Sequence, residues 1–367
     1  MKKALGVFNA AGERANALMR AAAVIALAFA LVVSASMLGG CSSGPEGSDG
    51  SAPASSGEGA DAAPVRIGTM PTEDFLPMWA AEKDGFFVDA GVDAELLSFD
   101  SAQALSAAIA AGEVDMAMVD VPRAVKLCES GTPVVMEWIT LGAEASQGAF
   151  GVLASADAPY STLPEMAAYL ASGEGDFGKE GVGLASNTVP EYVFDMLCEQ
   201  ANVDPATVPQ QEVASLPERF SLAATGKLAA AALPASMLRL GEANGMKLLA
   251  EDTDGDNISQ SVMIATASFA EENPEAVKKV AEAWNAAAEA IDADPEAYSV
   301  LLAEKANLNE AIADTYPVAE YPMAIENGAF LHPAADLVDP QLAWMRAKEY
   351  STHDVTYDEA TGAIKVD

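Results

Sequence analysis

Basic residues are scarce in this sequence. Nineteen lysines and arginines stand against 55 aspartates and glutamates, and the formal net charge is −36. Nucleic-acid binding is excluded as a primary role, because phosphates require a basic face. The same imbalance excludes a polybasic surface that docks on anionic lipids. We expect the acidic surface to keep the protein soluble, and we expect a monomer.

Cysteine and histidine are also rare, with three and two copies. Cys128 and Cys198 each follow an apolar helical stretch, so we expect buried free thiols rather than a disulfide framework or a zinc site. His332 and His353 stand apart from each other and from any nucleophile in the sequence. The sequence therefore predicts no metal centre and no cofactor.

The usual catalytic motifs are missing as well. There is no glycine-rich phosphate loop, no nucleophile elbow and no metalloprotease helix. Asp252, Asp254 and Asp256 begin like a calcium loop, but Asn257 stands where glycine is needed and Met263 where glutamate is needed. We expect binding rather than catalysis.

The N-terminus has the pattern of a secretory signal. Four basic residues precede an uncharged apolar run over residues 21–38, which is barely long enough to cross a bilayer. A permanent transmembrane helix is the less favoured alternative. The sequence LGGC at residues 38–41 resembles the bacterial lipobox, which implies that residues 1–40 are removed and Cys41 carries lipid. We expect an extracytoplasmic protein that is anchored to the cell membrane through Cys41.

Residues 41–64 follow as the lipidated cysteine and a flexible linker. From Ser42 to Pro64 the chain holds no aromatic or branched aliphatic residue. Such a segment buries too little apolar area to offset its ordering entropy. The folded part is therefore expected to begin at Val65.

From Val65 onward, strand and helix patterns alternate. Predicted strands cover residues 65–69, 92–99, 114–119, 134–141, 181–185, 211–214, 229–233, 247–250 and 261–266. Helical patterns separate most of them, and a long amphipathic helix begins at Pro274 behind the cap Asn273. This alternation predicts an α/β fold with mostly parallel sheets flanked by helices and a helical C-terminal region.

A weak repeat relates two parts of the pattern. Residues 111–120 align with residues 225–234: in each a helix ends at glycine, a short strand follows, and Asp120 or Pro234 opens the next loop. Two similar lobes are therefore expected. Because ligands bind beyond the carboxyl ends of parallel strands, the lobes would enclose a cleft.

Several short motifs carry a family resemblance. The segments VRIGTMPTEDFLPMWAAEKDGFFVDAGVDAELLSF and ALSAAIAAGEVDMAMVD resemble substrate-binding proteins of nitrate/sulfonate/taurine-type ABC transporters, a group that overlaps the pyrimidine-precursor binders. The resemblance implies a two-lobed type II periplasmic-binding-protein fold with hinge closure. Lobe one would comprise residues 65–153 and 261–367, and lobe two residues 154–260. The implied partners are a small-molecule solute and the permease and ATPase subunits of an importer.

Candidate ligand-binding residues lie where predicted strands end and helices begin. They are Thr72, Glu73, Phe75, Ser101, Asp120, Asn187, Thr188 and Ser236. Most of the polar members could equally be helix caps, and Thr188 with Glu191 matches a capping box. Phe75 would supply an aromatic wall.

Charge gives a hint about the solute. Glu73, Asp74 and Asp120 outnumber Arg123, the basic residue in these loops. An inorganic anion among carboxylates would be repelled, so the pattern favours a nitrogen-containing organic solute over nitrate or a simple sulfonate.

Three functions remain open at this stage. The chain could be a solute receptor for an importer, an enzyme on the same fold, or a sensor partner that presents ligand to a membrane receptor. The anchor, the linker, the acidic surface and the missing catalytic motifs favour the receptor.

Overall fold

The structure is a computed structural model that describes residues 63–143, 147, 150–254 and 259–367. The signal sequence, Cys41 and the linker up to residue 62 lie outside the described residues. Within the described part, no helix is long and apolar enough to span a membrane.

The secondary structure follows the predicted alternation closely. The strands are β1 (Val65–Thr69), β2 (Ala94–Ser98), β3 (Met116–Asp120), β4 (Val134–Leu141), β5 (Phe150–Ala154), β6 (Val182–Leu184), β7 (Gln210–Glu212), β8 (Ala230–Pro234), β9 (Lys247–Glu251), β10 (Ser261–Thr266), β11 (Ile325–Glu326), β12 (Ala329–Phe330), β13 (Val355–Asp358) and β14 (Ala363–Val366). The α-helices are α1 (Leu76–Asp84), α2 (Phe86–Ala90), α3 (Ala102–Ala110), α4 (Val121–Glu129), α5 (Leu163–Ser172), α6 (Val189–Gln200), α7 (Leu216–Ala224), α8 (Ala235–Ala243), α9 (Ala267–Glu272), α10 (Pro274–Ala293), α11 (Ser299–Lys305), α12 (Glu310–Ala313) and α13 (Ala335–Ala347). Short 3₁₀ turns occur at Glu73–Phe75, Pro205–Thr207, Asp252–Asp254 and Pro295–Tyr298.

Two main sheets organise these elements. The larger has the order β13-β14-β4-β10-β3-β1-β2, and the smaller has the order β7-β6-β8-β5-β9. We call the larger sheet with its helices (residues 63–143 and 259–367) the large lobe. The smaller sheet with its helices (residues 150–254) is the small lobe. The predicted two-lobed α/β fold is confirmed.

Both sheets are mixed, whereas the sequence pattern predicts mostly parallel sheets. β1 runs parallel to β2 and β3, but β10 runs antiparallel to β3 and β4. In the smaller sheet, β6 runs parallel to β7 and β8, but β5 runs antiparallel to β8 and β9. β5 and β10 are the strands that follow the two crossings between lobes, and each enters its new sheet in the reverse direction.

The crossings also shift the expected lobe boundary. Residues 150–153, expected in lobe one, lie in β5 of the smaller sheet. Gly142 ends the large-lobe side of the first crossing at φ +87°, a left-handed value that favours glycine. A Cβ at this position would collide with the Ser259 carbonyl of the second crossing. The two crossing segments therefore lie in backbone contact.

The core is divided between the faces of the two sheets. On one face of the larger sheet, α1 and α10 bury Trp138 and Trp284, whose rings lie 5.9 Å apart. On the other face, α3, α4 and α13 pack over β3 and β4. The amphipathic helix predicted from Pro274 onward is α10, and its apolar face, which includes Trp284 and Ile291, is buried.

Candidate functional site

A cavity lies between the lobes, at the carboxyl ends of β1 and β3 and of β6 and β8. Its volume is about 70 Å³. The large lobe contributes the loop after β1, the end of β3 and the start of β10. The small lobe contributes the N-terminal turns of α6 and α7 and the end of β8. Its polar lining comprises Thr72, Glu73, Asp74, Asp120, Thr188, Arg219, Ser259, Gln260 and Ser261.

The loop after β1 turns three polar side chains into this cavity. Thr72, Glu73 and Asp74 are only 7%, 6% and 8% exposed. Thr72 Oγ1, Glu73 Oε2 and Asp74 Oδ1 are buried and have no hydrogen-bond partner of good geometry among the described residues, although the Thr72 hydroxyl lies close enough to the Asp74 carboxyl to oppose the rise of its pKa. Because a buried acceptor without a donor costs roughly 1–3 kcal/mol, these oxygens are poised for a partner that enters the cavity.

Burial changes the acidity of the two carboxyls in this loop. Desolvation, with the nearby charge of Asp74, raises the pKa of Glu73 to about 7, although the Tyr316 and Ser236 hydroxyls favour the ionised form. Desolvation also raises the pKa of Asp74, and the Ser261 hydroxyl opposes this rise. Without a ligand, the site therefore binds protons more readily than exposed carboxyls do.

Asp120, at the end of β3, joins the two lobes. Its Oδ1 accepts a hydrogen bond of 2.7 Å from the Arg123 N–H and so caps α4. Its Oδ2 accepts a bond of 3.0 Å from the Val189 N–H, which belongs to the first turn of α6 in the small lobe. Desolvation raises the pKa of Asp120, and Arg123 and the two N–H groups oppose that rise. Both oxygens of this half-buried carboxylate are thus already bonded.

The N-terminus of α6 differs from the predicted capping box. The Thr188 hydroxyl donates to the Ala185 carbonyl at 2.6 Å and does not cap the helix. Glu191 instead accepts from the Asn187 N–H at 2.7 Å. Pro190 has no N–H to offer. These bonds, with Asp120 on Val189, satisfy the start of α6.

Glu191 also links α6 to the C-terminal segment of the large lobe. It accepts a bond of 2.6 Å from the Tyr350 hydroxyl, and Lys348 lies 3.1 Å away. The Lys348 ammonium lies 2.7 Å from Asp195, which also accepts from the Trp344 indole at 2.9 Å. This is a second bridge between the lobes, and it agrees with the structural role expected for Glu191.

Arg219, on α7, was missed by the sequence analysis. It is 1% exposed and lines the cavity. Its Nε and Nη1 donate to the Val213 and Ala232 carbonyls at 2.8 and 2.9 Å. Desolvation lowers its pKa to about 10, opposed by the charge of Glu212, so it stays charged at neutral pH. Leu216, Arg219 and Ala223 share the buried face of α7, so helical spacing could have found it.

The structure distributes the predicted site residues unevenly. Thr72, Glu73, Asp120 and Thr188 line the same cavity. Ser236, at the start of α8, is buried close enough to Glu73 to affect the pKa of that carboxyl.

Three other predicted residues lie elsewhere. Phe75 is fully buried in the large-lobe core, 5.6 Å from the ring of Trp79, and does not line the cavity; the aromatic lining is Phe150. Ser101 caps α3 by accepting the Ala104 N–H at 3.2 Å and borders an open depression instead. Asn187 adopts φ +58° in the turn before α6, a conformation that asparagine tolerates. Phe75 therefore packs in the core and Ser101 caps a helix, whereas Asn187 has a buried Oδ1 without a hydrogen-bond partner among the described residues.

Metal binding has no support in the described part of the chain, where no group of three or more His, Cys, Asp or Glu side chains could hold an ion. Cys128 and Cys198 are free and buried in the same part.

Comparison with known proteins identifies the family of this chain. A model of the NMT1-like family matches residues 58–303. The chain belongs to the NMT1-like family. No curated protein matches the sequence closely enough to count as a relative.

Solved structures resemble this NMT1-like chain in fold. The alkanesulfonate-binding protein SsuA from Xanthomonas axonopodis pv. citri, bound to MOPS, has a TM-score of 0.63 at 14% identity, covering 80% of this chain and 94% of its own. The periplasmic nitrate-binding protein NrtA from Synechocystis PCC 6803 has a TM-score of 0.62 at 14% identity, covering 80% and 83%. The Candida albicans CA3427 product, which has the generic periplasmic-binding-protein fold, has a TM-score of 0.61 at 10% identity, covering 80% and 92%. At these identities the likeness shows the fold alone.

Proposed function

We propose that this NMT1-like chain is an extracytoplasmic solute receptor. It binds a small polar organic solute between its lobes and delivers it to the permease and ATPase subunits of an ABC importer. It acts as a binding protein and not as an enzyme.

One observation carries the proposal: a cavity between the two lobes is lined by buried polar oxygens without partners. Thr72, Glu73 and Asp74 supply these oxygens, and the Asp120–Val189 bond holds the opposite lobe against them. A mostly apolar enclosure with a few convergent polar groups is typical of small-solute sites. Hinge closure about the paired crossings is the motion that such an architecture permits.

The structural neighbours support the same role. Their names describe an alkanesulfonate-binding protein and a periplasmic nitrate-binding protein. Receptors of this kind retain their solute unchanged, so stoichiometric retention is expected rather than turnover.

A thermal-shift screen tests the proposal. A solute at a hundred times its dissociation constant stabilises the fold by about 2.7 kcal/mol, so one compound in a broad metabolite library should raise the unfolding midpoint clearly. Mass spectrometry of the retained compound checks that it is unchanged. A flat screen, or conversion of the compound by the protein, would contradict the receptor role.

We also propose that lipidated Cys41 anchors the receptor. Cys41 lies outside the described residues, and the proposal rests on the LGGC sequence at residues 38–41. Two acyl chains hold a protein firmly, since each buried methylene contributes about 0.8 kcal/mol. The Cys41→Ser variant should leave the membrane fraction. Continued sedimentation with membranes after carbonate washing would contradict the anchor.

A further inference from the structure

We propose that the cavity selects a compact organic cation with N–H donors, such as an alkylammonium, amidinium or guanidinium compound. Glu73 and Asp74 would accept its hydrogen bonds, and Asp120 would exclude anions. This inference rests on the proposed receptor function and names its solute class.

The first step is hydrogen-bond demand. Each unpartnered oxygen at the cavity, on Thr72, Glu73 and Asp74, is on a side chain that is more than nine-tenths buried. A carboxylate oxygen only accepts, so a matching ligand must bring donors. Nitrate and sulfonate head groups carry acceptors only. They could take a hydrogen bond from the Thr72 hydroxyl, but they would leave the ionised carboxylates of Glu73 and Asp74 without donors.

The second step is the charge of the lining. Glu73, Asp74 and Asp120 face one basic lining residue, Arg219, whose Nε and Nη1 already donate to backbone carbonyls. Arg123 lies beside Asp120 and opposes the rise of its pKa; its buried Nε and Nη2 also have no hydrogen-bond partner among the described residues, but Arg123 does not line the cavity. Loss of protons from Glu73 and Asp74 would leave excess negative charge in a dry site. A bound cation balances that charge, and charge-assisted hydrogen bonds to carboxylates are the stronger kind.

The third step concerns the N-terminus of α6, where an anion would otherwise be attracted. Asp120 already places a carboxylate oxygen 3.0 Å from the Val189 nitrogen. Pro190 supplies no N–H, and the Asn187 N–H is bonded to Glu191. The protein's own carboxylate thus takes the position that an anionic solute would use.

The last step is size. A water molecule needs roughly 10–15 Å³ of such space, so about 70 Å³ accommodates on the order of five to seven atoms of that size. With the lobes in this arrangement, the cavity therefore suits a compact cation rather than a large heterocycle.

Shape-matched probes test the inference. Guanidinium, urea and nitrate are planar and similar in size, but they are respectively a cation with donors, a neutral molecule with donors and an anion without donors. At millimolar concentration, guanidinium should raise the unfolding midpoint most and nitrate least. Tetramethylammonium, a cation without N–H groups, should act less than ethylammonium. Calorimetry in two buffers at pH 7 should also show proton release with guanidinium, because a cation favours ionised Glu73.

Variants locate the effect. Glu73→Gln and Asp74→Asn should each weaken guanidinium binding by about tenfold or more, the loss of one hydrogen bond to a charged group. Glu137→Gln is the matched control, because Glu137 is equally buried but does not line the cavity. This variant should bind guanidinium as tightly as the wild type does. In the Asp120→Asn variant, the affinity for nitrate should rise relative to the affinity for guanidinium.

The outcomes separate the two proposals. If nitrate or ethanesulfonate binds and the cations do not, the solute class is wrong while the receptor function stands. If tetramethylammonium binds as well as ethylammonium, the N–H requirement is wrong. If neither the probes nor the broad library contains a binder, the receptor function fails and the inference fails with it.

Discussion

The two walls of the cavity are built in opposite ways. On the large lobe, Thr72, Glu73 and Asp74 carry buried oxygens that lack partners among the described residues. On the small lobe, Arg219 donates to backbone carbonyls and the Thr188 hydroxyl donates to that of Ala185. We therefore expect the large lobe to supply most of the hydrogen bonds to the solute, whereas the small-lobe residues Arg219 and Thr188 already have their partners and close over it.

This difference between the two walls also affects the stability of the protein without ligand. A wall with unmet hydrogen bonds destabilises the empty protein, and a ligand removes that cost when it binds. A wall with met hydrogen bonds stabilises the fold whether or not a ligand is present. Substitutions on the two walls should therefore shift stability in opposite directions.

The largest expected effect is the pH dependence caused by Glu73. Its pKa is about 7 in the folded protein and near 4.5 when unfolded, so the folded state holds more protons between these values. Stability should then fall as pH rises from about 5 through 7, by on the order of 3 kcal/mol for this group. Denaturant unfolding at pH 5 and pH 8 measures it: Glu73→Gln should remove this part of the loss.

Glu137→Gln gives the control for that prediction. Burial raises the pKa of Glu137 to about 7 as well, so its removal should also flatten the pH dependence. With guanidinium bound, however, the contribution of Glu73 should shrink and that of Glu137 should not. An equal loss of stability between pH 5 and pH 8 in the wild type and in Glu73→Gln would show that Glu73 ionises normally.

Much of the cavity could be predicted because its polar residues follow strand ends. Thr72, Glu73, Asp120 and Thr188 all reach it by that rule. Arg219 was not predicted because it lies one turn inside a helix rather than at the end of a strand. It reaches the cavity only because the buried face of that helix points there. Phe75 was misplaced because the 3₁₀ turn directs it into the core, whereas the two residues before it, Glu73 and Asp74, face the cavity.

Strand direction was harder to predict than strand position. β5 and β10 have ordinary apolar strand sequences, and their antiparallel pairing depends on how the chain crosses between lobes. That geometry is set by contacts between residues far apart in sequence.

The C-terminal hairpin of β13 and β14 was also missed, although its register pairs Val355 with Val366 at the edge of the larger sheet.

Replacement of Arg219 tests whether its hydrogen bonds stabilise the small-lobe side of the cavity. Arg219→Met keeps an unbranched apolar side chain but leaves the Val213 and Ala232 carbonyls without their donors. Each buried acceptor without a partner costs roughly 1–3 kcal/mol, and removal of a desolvated charge offsets part of this. We therefore expect the free energy of unfolding to fall by about 2 kcal/mol.

The stability of Arg219→Lys should lie between that of the wild type and that of Arg219→Met, because an ammonium lacks the planar fork that reaches separate carbonyls. Lys227→Met is the control: that residue is exposed, and loss of its ammonium should change stability by less than about 0.5 kcal/mol. Chemical denaturation of all three variants without ligand provides the measurement. If Arg219→Met proves as stable as the wild type, the small-lobe wall is not held by these bonds, and Arg219 would instead be available to meet an anionic part of the solute.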